Sequence, residues 1–80
     1  MQFNYAVSLR LQQFLQEQKI TQYELAKRSG IPPSTVNSII WYKTPSRSDT
    51  TILNICRGLE IEMYDFYLTP LLTRENISDD

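Results

Sequence analysis

Apolar residues recur every three or four positions in several short stretches of the chain, the spacing that places them on one face of an α-helix. Polar residues, glycine or proline separate these stretches. The pattern predicts five helices, over about residues 5–18, 21–29, 33–41, 49–58 and 62–68. The residues expected to form the core are Val7, Leu11, Phe14, Leu15, Gln18, Leu25, Ala26, Ile31, Val36, Ile39, Ile40, Ile52, Ile55, Cys56, Leu59, Ile61 and Phe66.

Local signals mark the ends of the predicted helices. Thr21 and Glu24 have the spacing of a capping box, in which each side chain satisfies a free backbone N–H at the start of a helix. Gly30 is expected to end that helix, because glycine adopts the left-handed backbone without strain. Proline is tolerated only in the first turn of a helix, so the third helix should begin near Pro33. Asn4 is expected to cap the first helix, after a short N-terminal arm.

The outward face of the third helix is polar. Successive residues are rotated by about 100°, so Ser34, Ser38 and Trp41 point away from the buried stripe. Thr35 and Asn37 lie on the flanks of this face. Small hydrogen-bonding groups on an exposed helix suit the donors and acceptors of base edges in the major groove of DNA. Trp41 has two interpretations, packing along a sugar–phosphate edge or covering the core, and the second is slightly favoured.

Two helices joined by a short turn that contains glycine form a helix-turn-helix unit. The stretch from Thr21 to Ile40 has this organisation. One predicted helix precedes it along the chain, and two follow it. The alternative is a plain α-helical hairpin inside a small bundle, because capping boxes and glycine stops occur in any helical protein.

The charged residues are distributed unevenly, although the net charge is only −1. Residues 1–47 carry six basic and two acidic side chains, a net charge of +4. Residues 48–80 carry two basic and seven acidic side chains, a net charge of −5. A domain with one basic half can present that half to phosphates. The alternative is a solvated surface whose asymmetry arose by chance.

The composition offers little for catalysis. The chain has no histidine, which excludes Ser-His-Asp and Cys-His arrangements. Cys56 is the single cysteine, too few for a zinc site, and it is interpreted as a small core hydrophobe. The two glycines, Gly30 and Gly58, are too far apart for a phosphate-binding loop. We therefore expect no enzymatic activity, no metal and no cofactor.

The length of 80 residues and the hydrophobic content of 41% indicate one small domain with one core. We expect this domain to span residues 1–72, with an acidic, mobile tail at residues 73–80. The chain has no run of 18 apolar residues, and its N-terminal residues lack the pattern of a signal peptide. Together with the unpaired cysteine, this predicts a cytoplasmic protein without membrane contact.

The segment TQYELAKRSGIPPSTVNSI, residues 21–39, resembles the helix-turn-helix of the Cro/C1-type (XRE-like) transcriptional regulators. The similarity covers residues 6–68 and rests on Thr21, Gln22, Leu25, Ala26, Gly30, Ser34, Thr35, Val36, Ile39, Lys43, Thr44, Pro45, Ile52, Ile55, Leu59, Ile61 and Phe66. The resemblance implies an all-α, five-helix, lambda-repressor-like helix-turn-helix DNA-binding domain. It also implies a sequence-specific regulator of transcription, of bacterial or phage type, that binds double-stranded DNA.

The resemblance further implies roles for individual residues. The third helix, residues 33–41, would enter the major groove, and the base-reading positions would be Pro33, Ser34, Asn37 and Ser38. The contacts to the DNA backbone would come from Gln22, Thr35, Lys43, Thr44 and Arg47. Relatives commonly form two-fold dimers through the C-terminal region, where this chain has Tyr67, Leu68, Leu71 and Leu72. A homodimer and a roughly palindromic operator are therefore expected.

The sequence departs from the family pattern in three places. Pro33 stands where a polar residue is usual, and its side chain cannot donate a hydrogen bond to a base. Tyr42 stands where relatives usually have glycine, so the end of the third helix is expected to differ. Leu15 and Ile40 stand where relatives often have a buried Arg–Glu pair, an exchange that is often neutral or stabilising.

The alternative function is a protein-binding module of the same fold, such as an antitoxin or a partner-controlled subunit. The surface for a protein partner would consist of Tyr64, Tyr67, Leu68, Leu71 and Leu72. Such apolar side chains near the C-terminal end are difficult for a small monomer to bury.

Overall fold

The computed structural model describes residues 1–41 and 49–78, which form five α-helices and one short 3₁₀ helix. The helices are α1 (Phe3–Gln18), α2 (Gln22–Ser29), α3 (Pro33–Ile40), α4 (Asp49–Leu59) and α5 (Met63–Tyr67), and the 3₁₀ helix is Pro70–Leu72. The predicted all-α fold and the order of its five helices are therefore confirmed. Within the described ranges, no helix is both long enough and apolar enough to cross a membrane.

The helix α1 begins earlier than the sequence predicted. Gln2 is the N-cap residue, and its carbonyl accepts the first helical hydrogen bond from the N–H of Ala6 at 3.0 Å. Asn4 lies inside the helix, so the prediction that it caps α1 is wrong. The carbonyl of Met1 accepts from the N–H of Ser78 at 2.8 Å. The C-terminal segment thus holds the residues before the helix, through a long-range contact that has no local sequence signal.

The helix-turn-helix unit follows the predicted boundaries. The Thr21 hydroxyl accepts a hydrogen bond from the N–H of Glu24 at 3.0 Å, which is one half of the capping box. The Glu24 carboxylate accepts instead from Arg28, at 3.2 Å, across one turn of α2. Gly30 ends α2 in the left-handed conformation, with φ of 69°, and α3 begins at Pro33. The predicted helix, glycine turn and second helix are confirmed.

All five helices contribute side chains to one core. Its buried members are Val7, Leu11, Phe14, Leu25, Ala26, Val36, Ile39, Ile40, Ile52, Ile55, Cys56, Leu59 and Phe66. Leu15, Ile20, Ile31, Ile61 and Leu72 pack against this cluster and are partly buried. The rings of Phe14 and Phe66 stack with their centroids 6.0 Å apart. Ser8 is buried as well, and its hydroxyl donates to the carbonyl of Ile40, which ties α1 to the end of α3.

Close packing at Gly58 holds α2 against α4. A Cβ atom built on Gly58 would lie 2.2 Å from the Ser29 hydroxyl oxygen and 3.1 Å from the Ser29 backbone nitrogen. A side chain at this position would displace the Ser29 hydroxyl and press on the Ser29 backbone. A helix-weakening glycine inside α4 is therefore explained by its contact with the first helix of the helix-turn-helix unit.

Arg10 joins α1 to the end of α5. Its Nε donates to the carbonyl of Phe66 at 2.8 Å, and its Nη2 donates to the carbonyl of Asp65 at 2.6 Å. The guanidinium carbon lies 4.3 Å from the centroid of the Phe14 ring. The spacing of apolar residues in α1 predicts that Arg10 belongs to the outer face of the helix. This prediction is wrong, because the Arg10 side chain is half-buried and satisfies free carbonyls of α5.

The chain folds back after α5. The 3₁₀ helix places Leu72 against the core, and the carbonyl of Thr73 accepts from the N–H of Ile77 at 3.1 Å. Ser78 then pairs with Gln2 in an isolated parallel bridge. The domain boundary at residue 72 and the mobility of the tail stay predictions.

Candidate nucleic-acid interface

The buried side of α3 determines which residues face the solvent. Val36, Ile39 and Ile40 pack into the core, and the hydroxyl of Ser8 anchors the carbonyl of Ile40. The opposite side of the helix carries the predicted base-reading residues, of which Pro33 and Ser34 are exposed and Asn37 and Ser38 half-exposed. Thr35, a predicted backbone contact, is half-exposed on the same helix. The structure thus places these five residues at the surface of one helix.

Two hydrogen bonds orient the polar groups on this surface. The amide nitrogen Nδ2 of Asn37 donates to the Oε1 oxygen of Gln22 at 3.3 Å. Gln22 is the first residue of α2, so this bond joins the start of α2 to the middle of α3. The hydroxyl of Ser38 donates to the carbonyl of Ser34, one turn earlier, at 2.9 Å. Gln22, which is predicted to contact the DNA backbone, is therefore hydrogen-bonded to Asn37, which is predicted to read a base.

The first turn of α3 is built from two prolines. Pro32 is the N-cap residue in an extended conformation, and its carbonyl accepts from the N–H of Thr35 at 3.0 Å. Pro33 follows at the first helical position, where the absence of an N–H costs nothing. Its exposed ring can offer only van der Waals contact, as the sequence predicted.

Trp41 does not cover the core, and the favoured sequence interpretation is therefore wrong. Its side chain remains 58% exposed at the C-cap of α3. It forms one wall of an open groove of about 500 Å³. The residues that line this groove are Tyr5, Leu9, Gln12, Leu15, Gln16, Gln22, Ile40 and Trp41. Leu15, which is partly buried, and Ile40 thus both line this groove, at the positions where relatives often have an ion pair.

The basic residues near the unit have different environments. Lys27 is exposed at the end of α2, whereas Arg28 forms an exposed ion pair with Glu24. Exposed pairs of this kind are weak, so Arg28 contributes positive charge to the surface as well. The predicted backbone contacts Lys43, Thr44 and Arg47, and the departure at Tyr42, lie outside the described residues.

The predicted dimer residues do not share one environment. Leu68 is 77% exposed and Tyr67 is exposed, whereas Leu71 is half-buried and Leu72 packs against the core. Three of them border a shallow cleft of about 360 Å³, which is lined by Tyr67, Leu68, Thr69, Pro70, Leu72 and Thr73. Tyr64, on the neighbouring turn of α5, is 70% exposed. The exposed apolar surface therefore centres on α5 and Leu68.

The described residues offer little support for metal binding or for a reactive thiol. No three His, Cys, Asp or Glu side chains in residues 1–41 and 49–78 come together as a metal site. Burial raises the pKa of the Cys56 thiol above its ordinary value of 9.0, and the carboxylates of Asp65 and Glu62 raise it further. A thiol held protonated is a poor nucleophile, in agreement with a role for Cys56 in the core.

The sequence did not reveal two features of this surface. The bond between Gln22 and Asn37 joins residues fifteen positions apart. The groove beside Trp41 combines side chains of α1 with the ends of α2 and α3. The short turn between α2 and α3 is the one sequence signal for the first feature, because it keeps the two helices packed against each other.

The comparisons with known proteins agree with this geometry. A family model described as the Cro/C1-type HTH DNA-binding domain matches residues 10–69. This range begins within α1, includes both helices of the unit, and ends just after α5. The comparisons with curated proteins and with solved structures gave no match.

Proposed function

Because the chain belongs to the Cro/C1-type helix-turn-helix DNA-binding family, we propose that it is a sequence-specific regulator of transcription, of bacterial or phage type. This proposal rests on the difference between the two faces of α3. One side is locked into the core by Val36, Ile39 and Ile40, while the other presents short polar side chains at the surface. A helix held in this way can enter the major groove without unfolding any part of the core.

In the proposed complex, residues 33–41 lie in the major groove. Asn37 and Ser38 contact base edges, Ser34 lies beside them, and Pro33 contributes apolar contact alone. The start of α2 lies across the DNA backbone, where Gln22 and the free N–H groups of the helix face a phosphate. The remaining phosphate contacts come from Thr35, Lys43, Thr44 and Arg47.

The proposed regulator acts as a homodimer on a roughly palindromic operator, with half-sites about one helical turn apart. The exposed apolar surface of α5 and Leu68 supports this assembly. The domain spans residues 1–72, the tail is residues 73–80, and the protein works in the cytoplasm without a catalytic reaction.

The second candidate function is that of a protein-binding module of the same fold. The same apolar surface favours it, because Tyr64 and Leu68 expose 70% and 77% of their areas. Gel filtration and retention on DNA separate the two candidates. A heteromeric partner together with no retention on DNA would favour the module.

Titration of duplexes at several salt concentrations tests the proposed reading of DNA. Asn37→Ala should weaken binding to the preferred site by about 1–3 kcal/mol and leave scrambled DNA almost unaffected, because it removes a base contact. Lys43→Ala should weaken binding to every duplex about equally and lower the salt slope by about one, because it removes a phosphate contact.

The matched control is Asn76→Ala, an asparagine in the exposed C-terminal turn, which should bind as the parent does. If Asn37→Ala and Ser38→Ala both retain full specific affinity while Lys43→Ala loses affinity, α3 is not the reading helix. Sequence preference would then have to come from DNA shape or from a partner.

A further inference from the structure

The C-terminal end of α3 is not closed in the way that the two preceding helices are. α1 and α2 are followed by Lys19 and Gly30, both in the left-handed conformation that closes a helix, with φ of 56° and 69°. Trp41, which follows α3, instead has φ of −94° and ψ of 9°. The last carbonyls of α3 therefore depend on partners from outside such a closing turn.

Ser8 of α1 is one of these partners. Its hydroxyl donates to the carbonyl of Ile40, and both residues are buried, with Ser8 0% and Ile40 7% exposed. A serine hydroxyl has one hydrogen, so the Ser8 oxygen can only accept a further bond. The Nε2 group of Gln12, one turn along α1, donates to this oxygen at 3.1 Å. The side chains of Ser8 and Gln12 and the carbonyl of Ile40 thus form a chain of hydrogen bonds, which we call the α1 clamp.

Resting on the proposed function, we infer that Ser8 and Gln12 are positioning residues for DNA binding, because the α1 clamp fixes the end of the helix that enters the major groove. A buried carbonyl that loses its donor must turn toward another partner, since an unpaired buried acceptor is costly. Turning the Ile40 carbonyl rotates the peptide bond to Trp41. This rotation changes the direction in which the chain leaves α3, and the predicted phosphate contacts between residues 43 and 47 follow directly.

The direction of the hydrogen bonds makes the α1 clamp sensitive to the side chain at position 12. Gln12→Glu replaces the Nε2 donor by a carboxylate, which can only accept. Ser8 has a single hydrogen to give, and a bond to a charged acceptor is about twice as strong as a bond to a neutral one. The new carboxylate should therefore take this hydrogen away from the Ile40 carbonyl, although no atom of the core has been removed.

Titration of the preferred duplex, at a temperature where every variant is folded, tests the role of Ser8. Ser8→Ala should weaken binding about 2- to 30-fold, because the end of α3 loses its anchor. Cys56→Ala is the matched control, since it also removes a buried group, but from α4, which packs against α2. It should lower the melting temperature and still bind DNA as the parent does.

The role of Gln12 is tested by the same charge change at two positions of α1. Gln16→Glu is the matched control for Gln12→Glu, because both glutamines are exposed and line the same groove, but Gln16 lies one turn further from Ser8. Both variants should lose affinity through repulsion from phosphates. Gln12→Glu should lose about 2- to 30-fold more than Gln16→Glu. In a Ser8→Ala background the two losses should be equal, because no hydrogen is left to divert.

Three results would overturn the inference and leave the proposed function intact. They are a Ser8→Ala variant that binds DNA as Cys56→Ala does, equal losses from Gln12→Glu and Gln16→Glu, and an excess loss from Gln12→Glu that persists in the Ser8→Ala background. Thermal melts show which variants are folded. If Ser8→Ala does not fold, the comparison of the two glutamate variants in the parent background decides. If the parent itself prefers no duplex sequence, the proposed function fails, and the inference fails with it.

Discussion

The guanidinium group of Arg10 makes its contacts within the domain. Its guanidinium satisfies the carbonyls of Asp65 and Phe66 at the end of α5, while its flat face covers the ring of Phe14. A cation at a helix C-terminus also interacts favourably with the helix dipole. One residue therefore fastens the short α5 to the longest helix of the domain.

Arg10→Ala should lower the free energy of unfolding by about 2 kcal/mol, because half-buried carbonyls lose charged donors. Arg10→Lys should restore part of this loss, since lysine keeps the charge but cannot donate in the same fork. Urea unfolding followed by circular dichroism measures both changes. Arg74→Ala is the control, because Arg74 is exposed. Equal stability of Arg10→Ala and Arg74→Ala would contradict this role.

Cys56 gives the domain a measurable response to alkaline pH. Its pKa is raised in the folded protein by burial and by the carboxylates of Asp65 and Glu62, whereas the unfolded thiol ionises near 9.0. Above that pH the unfolded state releases the proton first, so it binds fewer protons than the folded state. Stability contributed by the protonated thiol is therefore present below pH 9.0 and is lost as the pH rises.

We expect the free energy of unfolding of the parent to fall more steeply between about pH 8.5 and 10 than that of Cys56→Ala, which has no thiol to ionise. The difference between the two proteins is the informative quantity, because tyrosine and lysine titrate in both. Urea unfolding at closely spaced pH values measures it. Parallel pH profiles for the two proteins would show that the Cys56 environment does not favour the neutral thiol.

At the scale of elements, the contact between α2 and α4 determines how the helix-turn-helix unit sits on the domain. The backbone of Gly58 approaches Ser29 so closely that no side chain fits between them. The hydroxyl of Ser29 is buried there and has no hydrogen-bond partner among the described residues. The backbones of the two helices therefore approach each other closely at this point, with no side chain between them.

Gly58→Ala should destabilise the domain by about 1–3 kcal/mol, even though alanine favours the helix, because the new methyl group overlaps Ser29. Ser29→Ala removes the nearest atom and should recover part of that loss in the double variant. Thermal melts of the two single variants and the double variant give the coupling. Independent, additive effects would mean that the two residues do not press against each other.

A helix boundary can be predicted from the sequence when the residues that fix it lie close to it along the chain. Thr21, Gly30 and Pro33 act within one turn of their own positions, so the boundaries of α2 and α3 could be predicted from the sequence. The start of α1 depends on Ser78, and the position of Arg10 depends on carbonyls of α5, more than fifty residues away. Such contacts leave no periodic pattern, so the sequence predicts neither the N-cap of α1 nor the half-buried position of Arg10.

At the scale of the whole molecule, Leu68 is the apolar side chain of the C-terminal region with the least contact to its own chain, being 77% exposed. Leu68→Ser should abolish or weaken the proposed homodimer, while it changes the stability of the monomer by less than about 0.5 kcal/mol. Sedimentation, with and without operator DNA, measures the assembly. Tyr23→Ser, at an exposed tyrosine of α2, is the control. A monomeric parent in both conditions would refute the dimer.

Because Ser78 pairs with Met1 and Gln2, the two ends of the described chain lie side by side. Its first and last described residues are neighbours in space, although seventy-seven positions separate them along the backbone. A short linker between the two ends would span little distance, and it would reduce the entropy of the unfolded chain without strain in the folded one. Backbone cyclisation is therefore a natural way to stabilise this domain with every helix left in place.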